Sequence, residues 1–145
     1  MIRVMSLDPG ESTGYLVVDM EDNSYQIYAG GTLPKDHIKV FDKIREIHPD
    51  ILIYETFHMY PGKAKALSWN SFYPCEVIGV IKLTAKISNI VDVVGLTPST
   101  KKYAGGFNNP IWINFRQTHE YTEHTKDTWL LFQYWYRNKY KKRTE

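Results

Sequence analysis

The segment Ile2–Met20 constrains the fold more than any other part of the sequence. An apolar run that includes Val4 and Leu7 ends abruptly at Asp8-Pro9-Gly10, and strand-forming residues resume at Tyr15. Apolar and aromatic residues on both sides of a Pro/Gly/Ser turn predict a β-hairpin. Such a hairpin places Asp8 at the rim of a sheet, where its carboxylate lies half outside the core and is held rigidly. An Asp in this position can also simply open a turn, so its role depends on what other residues join it.

The rest of the chain alternates between strand and helix patterns. Strands are predicted at 25–29, at 50–55 and at 90–94, and Gly30-Gly31 is expected to end the first of these. Helices are predicted at 38–47, from Lys63 to about Ser88, from 97 onward and at Glu123–Arg137. Pro74 is expected to kink or break the second of these helices. Residues 105–122 give no clear pattern. The order β-β-β-α-β-α-β-α implies an α/β protein with one five-stranded mixed sheet flanked by helices. This is the layout of the ribonuclease H-like (RNase H-like) fold.

Length and composition indicate one domain over residues 1–145. The single cysteine, Cys75, excludes an internal disulfide and is expected to be a small core residue of a protein in a reducing compartment. No apolar run approaches the roughly 20 residues that span a bilayer, and no signal peptide is visible at the N-terminus. We therefore expect a soluble, cytoplasmic protein that does not associate with membranes.

The net charge of +2 indicates no partner, but basic residues are concentrated in a C-terminal tail at about 137–145. Tyr136 and Tyr140 lie near Lys141, Lys142 and Arg143 in this tail, a combination that suits phosphate binding with base stacking. A solvated terminus is the alternative. Aromatic residues reach 14%, including 11 Tyr, so we expect some rings to face a ligand or a partner.

Four candidate metal ligands are expected to converge at one edge of the sheet. Asp8 and Glu55 end strands that are parallel neighbours in this layout, and His124 and Asp127 are three residues apart, hence on one helix face. Carboxylates from separate elements that point to one place repel each other unless a cation lies among them. Oxygen ligands without cysteine favour Mg²⁺ or Mn²⁺, and two such ions are the usual apparatus for phosphodiester hydrolysis. The alternative is a capping Glu55 with His124 and Asp127 as solvated surface residues.

The first two motifs resemble those of the RuvC Holliday junction resolvases, especially the compact phage-type members. Asp8-Pro9-Gly10 followed by Thr13-Gly14-Tyr15 resembles the family's first motif, a strand ending in Asp-Pro-Gly and a Thr-Gly-aromatic hairpin. Ile53-Tyr54-Glu55 followed by Phe57 resembles the second motif, where an acid ends the fourth strand. The resemblance implies a nuclease in which Asp8 and Glu55 bind metal.

Two later motifs extend the resemblance over nearly the whole chain. Pro98-Ser99 with Lys101-Lys102 is similar to the segment that carries an active-site lysine, and His124…Asp127 is similar to the final His/Asp-x-x-Asp motif. The resemblance implies that Asp8, Glu55, His124 and Asp127 hold two Mg²⁺ or Mn²⁺ ions and that Lys101 or Lys102 contacts the scissile phosphate. Residues 69–74 and Gly105–Thr122 depart from the family pattern, and both segments bear on the choice of substrate.

The expected function is cleavage of branched DNA such as Holliday junctions. A flap or branch nuclease, a less selective nuclease of the same fold and an inactive nucleic-acid-binding module are the alternatives. The actin-like sugar kinases also begin with an Asp-x-Gly hairpin but are well over twice this length. Relatives of the same fold that lack the strand-four acid are disfavoured by Glu55, and a packaging nuclease by the absence of a P-loop motif.

Symmetric cutting of a junction needs two sites, so a homodimer is expected. We expect the helical segment Lys63–Ser88 to form its interface through Trp69, Phe72 and Tyr73, unless these rings pack on the sheet. The loop Phe57-His58-Met59-Tyr60 follows Glu55 and is expected to stack on splayed bases at the branch point, unless Phe57 lies in the core. The full set of expected DNA contacts is Phe57, His58, Tyr60, Lys63, Lys65, Lys101, Lys102, Lys141, Lys142 and Arg143.

Overall fold

The computed structural model describes residues 1–57 and 72–141. The elements in chain order are β1 (Ile2–Asp8), β2 (Thr13–Glu21), β3 (Ser24–Leu33), α1 (His37–Ile47), β4 (Ile51–Glu55), α2 (Tyr73–Ile87), β5 (Asp92–Leu96), a 3₁₀ helix (Pro98–Tyr103), α3 (Pro110–Thr118), α4 (Glu123–Trp135) and a π-helical turn (Tyr136–Tyr140). The strands form one five-stranded sheet in the order β3-β2-β1-β4-β5. β2 is antiparallel to both β1 and β3, whereas β4 is parallel to both β1 and β5. The predicted mixed sheet flanked by helices is confirmed.

The two faces of the sheet have separate cores because side chains alternate along each strand. Val4 and Leu16 pack on the side that carries α3 and α4. Met5 and Val17, one residue further along, pack on the side that carries α1 and α2. This alternation therefore determines on which side of the sheet the last residues of β1 and β4 lie.

The α4 side of the sheet has an aromatic core. Trp112 of α3 and Trp129 of α4 stack with their ring centres 5.1 Å apart, and both side chains are fully buried. Tyr136 stacks on Phe132 and on Tyr140, with ring centres 5.7 Å and 5.9 Å apart. The interpretation of Tyr136 and Tyr140 as base-stacking residues of the tail was therefore wrong for this arrangement, since both rings pack against the protein.

Several predicted boundaries differ from the structure. The third strand does not end at Gly30-Gly31 but continues to Leu33, because the ring of Phe115 packs over Gly30 where a Cβ would lie 2.7 Å from it. The fifth strand is Asp92–Leu96 and not 90–94. Pro74 lies in the first turn of α2, where a missing amide hydrogen costs no hydrogen bond. The kink or break predicted there concerns a helix whose part before residue 72 lies outside the described residues.

The unassigned segment contains a helix with ordinary start signals. α3 begins at Pro110, and the side chain of Asn109 caps it by accepting a hydrogen bond of 2.9 Å from the amide of Ile111. An Asn N-cap followed by Pro is a common helix start. The segment that gave no clear sequence pattern therefore contains a regular helix.

The prediction of a buried Cys75 was wrong. The residues of α2 that face the sheet are Val77, Ile81, Thr84 and Ala85, and Cys75 lies outside this face and is exposed. Within the described residues, no helix is both long enough and apolar enough to cross a bilayer.

Candidate active site

Asp8 and Glu55 lie side by side at the ends of β1 and β4. The two strands are parallel with Leu7 opposite Tyr54, so the next residue of each strand is an acid. Val4, Ile51 and Ile53 point to the α4 side. Asp8 and Glu55 follow the same alternation and face α4, and their carboxyl groups share a hydrogen bond.

His124 and Asp127 come from the first turns of α4 and complete the acidic cluster. Nδ1 of His124 lies 3.3 Å from Oδ2 of Asp8. Asp127 acts on Asp8 through charge repulsion and lies 28% exposed at the open side of the cluster. The four residues expected from the sequence are thus brought together, and they come from three separate elements.

Lys101 lies inside this cluster. Its Nζ is 2.8 Å from Oε1 of Glu55 and 3.3 Å from Oδ2 of Asp127. Burial lowers the pKa of Lys101, but the hydrogen bond to Glu55 and the attraction of the three carboxylates outweigh it and raise the pKa above its ordinary value. Lys102, the next residue of the 3₁₀ helix, is exposed. Of the two lysines that the sequence left open, the structure places Lys101 in the cluster.

The cluster has too little positive charge. Burial, the hydrogen bond with Glu55 and repulsion by Glu55 and Asp127 raise the pKa of Asp8 from 3.8 to about 9, although Lys101 opposes the shift. A buried carboxyl group that holds its proton at neutral pH is typical of an acidic cluster without enough counter-charge. A cation bound beside Asp8 would remove this penalty.

The start of α4 is fixed against the sheet at several points. Ser6 donates a buried hydrogen bond of 2.9 Å to the carbonyl of Thr128, and the hydroxyls of Thr32 and Thr122 lie 3.0 Å apart. Thr122 caps the helix by accepting from the amide of Thr125 at 3.3 Å. These contacts hold His124 and Asp127 above the strand ends.

Gly14 leaves room for the backbone of His124 to pack against β2. It lies in β2 opposite Asp8, and a Cβ at this position would lie 2.4 Å from the carbonyl oxygen of His124. Neither Ser6 nor Gly14 was among the site residues expected from the sequence. The signal was available, since Ser6 and Asp8 have the same alternation in β1, and Gly14 follows the hairpin turn.

The four residues are of the types that bind a hard divalent cation, but their side chains are not arranged as a metal site. In residues 1–57 and 72–141, no three histidine, cysteine or acidic side chains are clustered tightly enough to hold a metal ion. Three carboxylates and an imidazole are nevertheless the ligand types that Mg²⁺ and Mn²⁺ take, and the raised pKa of Asp8 indicates a place for positive charge. The ammonium of Lys101 lies between two of these carboxylates.

The remaining expected DNA contacts are only partly within the described residues. Phe57 is half-buried two residues after β4, and Lys141 is exposed at the end of the described chain. The other expected contacts, His58, Tyr60, Lys63, Lys65, Lys142 and Arg143, lie outside the described residues, as does Trp69 of the expected dimer interface.

Comparisons with known proteins identify the fold. The structure is similar to Thermus thermophilus RuvC in complex with a Holliday junction substrate, at a TM-score of 0.67 and 14% identity over 92% of both chains. It is also similar to the fowlpox virus Holliday junction resolvase, at a TM-score of 0.65 and 15% identity over 93% of this chain and 98% of that one. The yeast mitochondrial Holliday junction resolvase gives a TM-score of 0.63 and 15% identity, over 93% of this chain and 78% of the other.

The chain has the fold of the RuvC-type resolvases. This confirms the RNase H-like fold expected from the order of strands and helices. No protein-family model and no curated protein sequence matches the chain. The likeness therefore concerns the backbone architecture, and the chemistry has to be argued from the residues of this chain.

Proposed function

We propose that this protein is a structure-selective endodeoxyribonuclease of the crossover junction type, which cleaves branched DNA such as Holliday junctions by metal-dependent phosphodiester hydrolysis. One observation carries the proposal: Asp8, Glu55, His124 and Asp127 meet at one edge of a resolvase-type sheet, with Lys101 among them. The solved structures of the same fold are named as Holliday junction resolvases, which supports this choice of substrate class.

In this proposal Asp8, Glu55, His124 and Asp127 hold Mg²⁺ or Mn²⁺, two ions per site. Ions at such a site activate the attacking water and stabilise the leaving oxygen of the phosphodiester. Lys101 contacts the scissile phosphate, because its ammonium lies among the carboxylates and can bind a phosphate oxygen there. Lys102, exposed beside it, contacts the DNA backbone further from the cut.

Cleavage assays test the reaction class directly. Wild-type protein with Mg²⁺ should cut four-way junctions faster than three-way junctions, flaps and linear duplex of the same arm sequences. Asp8→Asn and Glu55→Gln should abolish cleavage but keep junction binding, because each removes a metal-holding charge that lies within the cluster and not on the open surface. Cutting by either variant at the wild-type rate would refute the catalytic assignment.

The substrate comparison also separates the alternatives. Preferential cutting of flaps would indicate a flap or branch nuclease of the same fold. Binding of branched DNA without cutting, in Mg²⁺ and in Mn²⁺, would indicate a catalytically inactive binding module.

Metal binding has a readout that is independent of cleavage. Relief of the repulsion around Asp8 should raise the melting temperature when Mg²⁺ or Mn²⁺ is added. A ligand at 100 times its dissociation constant stabilises a protein by about 2.7 kcal/mol. A melting temperature that ignores both ions, up to concentrations that support cleavage, would count against metal binding by the folded cluster.

The proposal includes a homodimer formed through α2. Leu83 and Ile87 are 60% and 51% exposed, and Cys75 and Gly79 lie along the same side of the helix at spacings of four residues. A helix face with two exposed aliphatic residues and two small ones allows the backbones of two helices to approach closely. Phe72, exposed just before the helix, extends this surface.

Tyr73 does not contribute to the proposed interface. Its ring stacks on His37 of α1 at a distance of 4.8 Å between ring centres, and it is therefore packed within one chain. The expected role of Phe57 in reading the branch point remains part of the proposal. Phe57 is half-buried and lies two residues after Glu55 in the chain.

A further inference from the structure

Four aromatic side chains in the described residues are markedly exposed, and two of them, Tyr103 and Phe107, belong to the segment that follows Lys101. Tyr28 and Phe72 lie away from it, on β3 and before α2, and Tyr28 is covered on one face by the guanidinium of Arg3 at 4.0 Å. Tyr103 is 75% exposed and Phe107 is 44% exposed. Tyr103 lies in the same six-residue 3₁₀ helix as the active-site lysine.

The exposure of these two rings does not result from a loosely attached loop. The carbonyl of Ala104, a fully buried residue, accepts a hydrogen bond of 2.7 Å from Arg137. The indole of Trp129 donates to the carbonyl of Gly106 at 3.2 Å. Gly105 and Gly106 both have positive φ, 64° and 89°, which turns the chain sharply after the 3₁₀ helix. The backbone that carries the two rings is therefore anchored to α4 and its extension.

Positive charges accompany the rings. Nζ of Lys126 lies 5.6 Å from the centre of the Phe107 ring, and Lys126 directly precedes Asp127 of the acidic cluster. Lys102 is exposed next to Tyr103. The carboxylate of Glu123 lies 3.8 Å from the ammonium of Lys126 and is itself largely solvated. Flat rings between cations are complementary to a nucleotide, which offers a base to stack and a phosphate to bind.

We propose that Tyr103 and Phe107, with Lys102 and Lys126, form a stacking platform that holds an unpaired base of the branched DNA strand beside the active site. This inference rests on the proposed nuclease function and names the part of the substrate that the platform takes. A base in an intact duplex is stacked on its neighbours and is not available to a protein ring. A splayed base at a branch is available, so the platform favours branched over linear DNA.

Binding measurements test the platform without relying on turnover. Dissociation constants are measured by fluorescence anisotropy for a four-way junction and a linear duplex, in the non-cleaving Asp8→Asn background. Tyr103→Ala and Phe107→Ala should each weaken junction binding by about 5- to 160-fold, the range of base–aromatic stacking, and duplex binding by less than about twofold. Tyr103→Phe should retain junction binding, because it keeps the ring. Tyr28→Ala is the matched control, an exposed ring removed at a distance, and should leave both constants unchanged.

Each outcome decides between the platform and its alternatives. Equal losses on junction and duplex would overturn the stacking role, as would losses accompanied by a lower melting temperature. Unchanged junction binding in both alanine variants would also overturn it, and the rings would then be better explained as a contact for a protein partner. If the parent protein binds no branched DNA, the proposed function itself fails. If it binds and cuts junctions while the alanine variants behave normally, only the platform fails.

Discussion

Replacing Gly14 by Ala tests how the sheet positions the ligands of α4. The added Cβ would lie 2.4 Å from the carbonyl oxygen of His124, 2.6 Å from its carbonyl carbon and 2.9 Å from its Cβ. Ordinary contact begins at 3.4 Å, so the start of α4 must retreat by about 1 Å. Two of the three near atoms are backbone, and rotating a side chain cannot relieve the clash.

The size of the effect follows from this displacement. Forcing an extra carbon into a packed contact typically costs about 1–3 kcal/mol of folding free energy. The shift also moves His124 and Asp127 away from Asp8 and Lys101, which they approach to 3.3 Å. A misplacement of about 1 Å can cost about 100-fold in rate. Gly14→Ala should therefore lose more in cleavage than its modest loss of stability accounts for.

Three measurements on one pair of variants test this reasoning. Urea unfolding gives the free energy of unfolding, calorimetry gives the affinity for Mn²⁺, and single-turnover cleavage of a four-way junction gives the rate. Gly31→Ala is the matched control, because it lies in the adjacent pair of the β2–β3 ladder and the atoms nearest its Cβ belong to the side chain of Tyr15, from 3.3 Å. That ring can move, so the control should stay near wild type in metal affinity and rate.

Two results would refute the argument. If Gly14→Ala kept the wild-type free energy of unfolding and cut within about threefold of the wild-type rate, the contact between β2 and α4 would not set the geometry. If Gly14→Ala and Gly31→Ala lost stability equally, the cause would be the general preference of these strand positions for glycine and not the carbonyl of His124.

Three further predictions concern charge and assembly. Folding raises the pKa of Asp8 from 3.8 to about 9, so between these values the folded state keeps a proton that the unfolded chain releases. Without metal, the free energy of unfolding should therefore fall as the pH rises from about 4 to about 9, by at most about 1.4 kcal/mol per pH unit. Urea unfolding in EDTA measures this slope, which Asp8→Asn should flatten; the same slope in both proteins would assign it to other groups. Lys101→Met should bind Mn²⁺ more tightly in calorimetry, since an ammonium no longer competes for the carboxylates, and Lys102→Met should not; weaker binding by Lys101→Met would mean that the lysine helps to assemble the site. Leu83→Lys should give a monomer in light scattering at micromolar concentration, and Ile113→Lys, on the opposite side of the sheet, should not; a monomeric wild type with and without junction DNA would contradict the dimer.

The acidic cluster was predictable because its parts are local patterns joined by a simple topology. Asp8 and Glu55 each end an apolar strand, and His124 and Asp127 have helical spacing. Parallel pairing of β1 and β4 then brings these residues to one edge. Which of Lys101 and Lys102 enters the cluster was not predictable, because it depends on how a short 3₁₀ helix is rotated against α4.

The wrong expectations share a physical cause, which is long-range packing. Gly30 and Gly31 looked like a strand end, but the ring of Phe115 in α3 needs the space that Gly30 leaves. Cys75 was expected to be buried because free cysteines usually are, whereas its exposure depends on which face α2 turns to the sheet. Tyr136 looked like part of a basic tail until the contact with Phe132 placed it against the core.

The exposed thiol of Cys75 gives experimental access to the assembly of this protein. Cys75 is the only cysteine in the sequence, so one thiol-reactive spin label attaches per protomer without any substitution. It lies on α2, across the sheet from the face that carries α4, and the label therefore leaves the acidic cluster untouched. Because Cys75 lies on the face proposed for the dimer, the thiol should be protected from the label in the dimer and accessible in the monomer. The rate of labelling, followed while a junction is added, would report whether DNA changes the association of the two protomers.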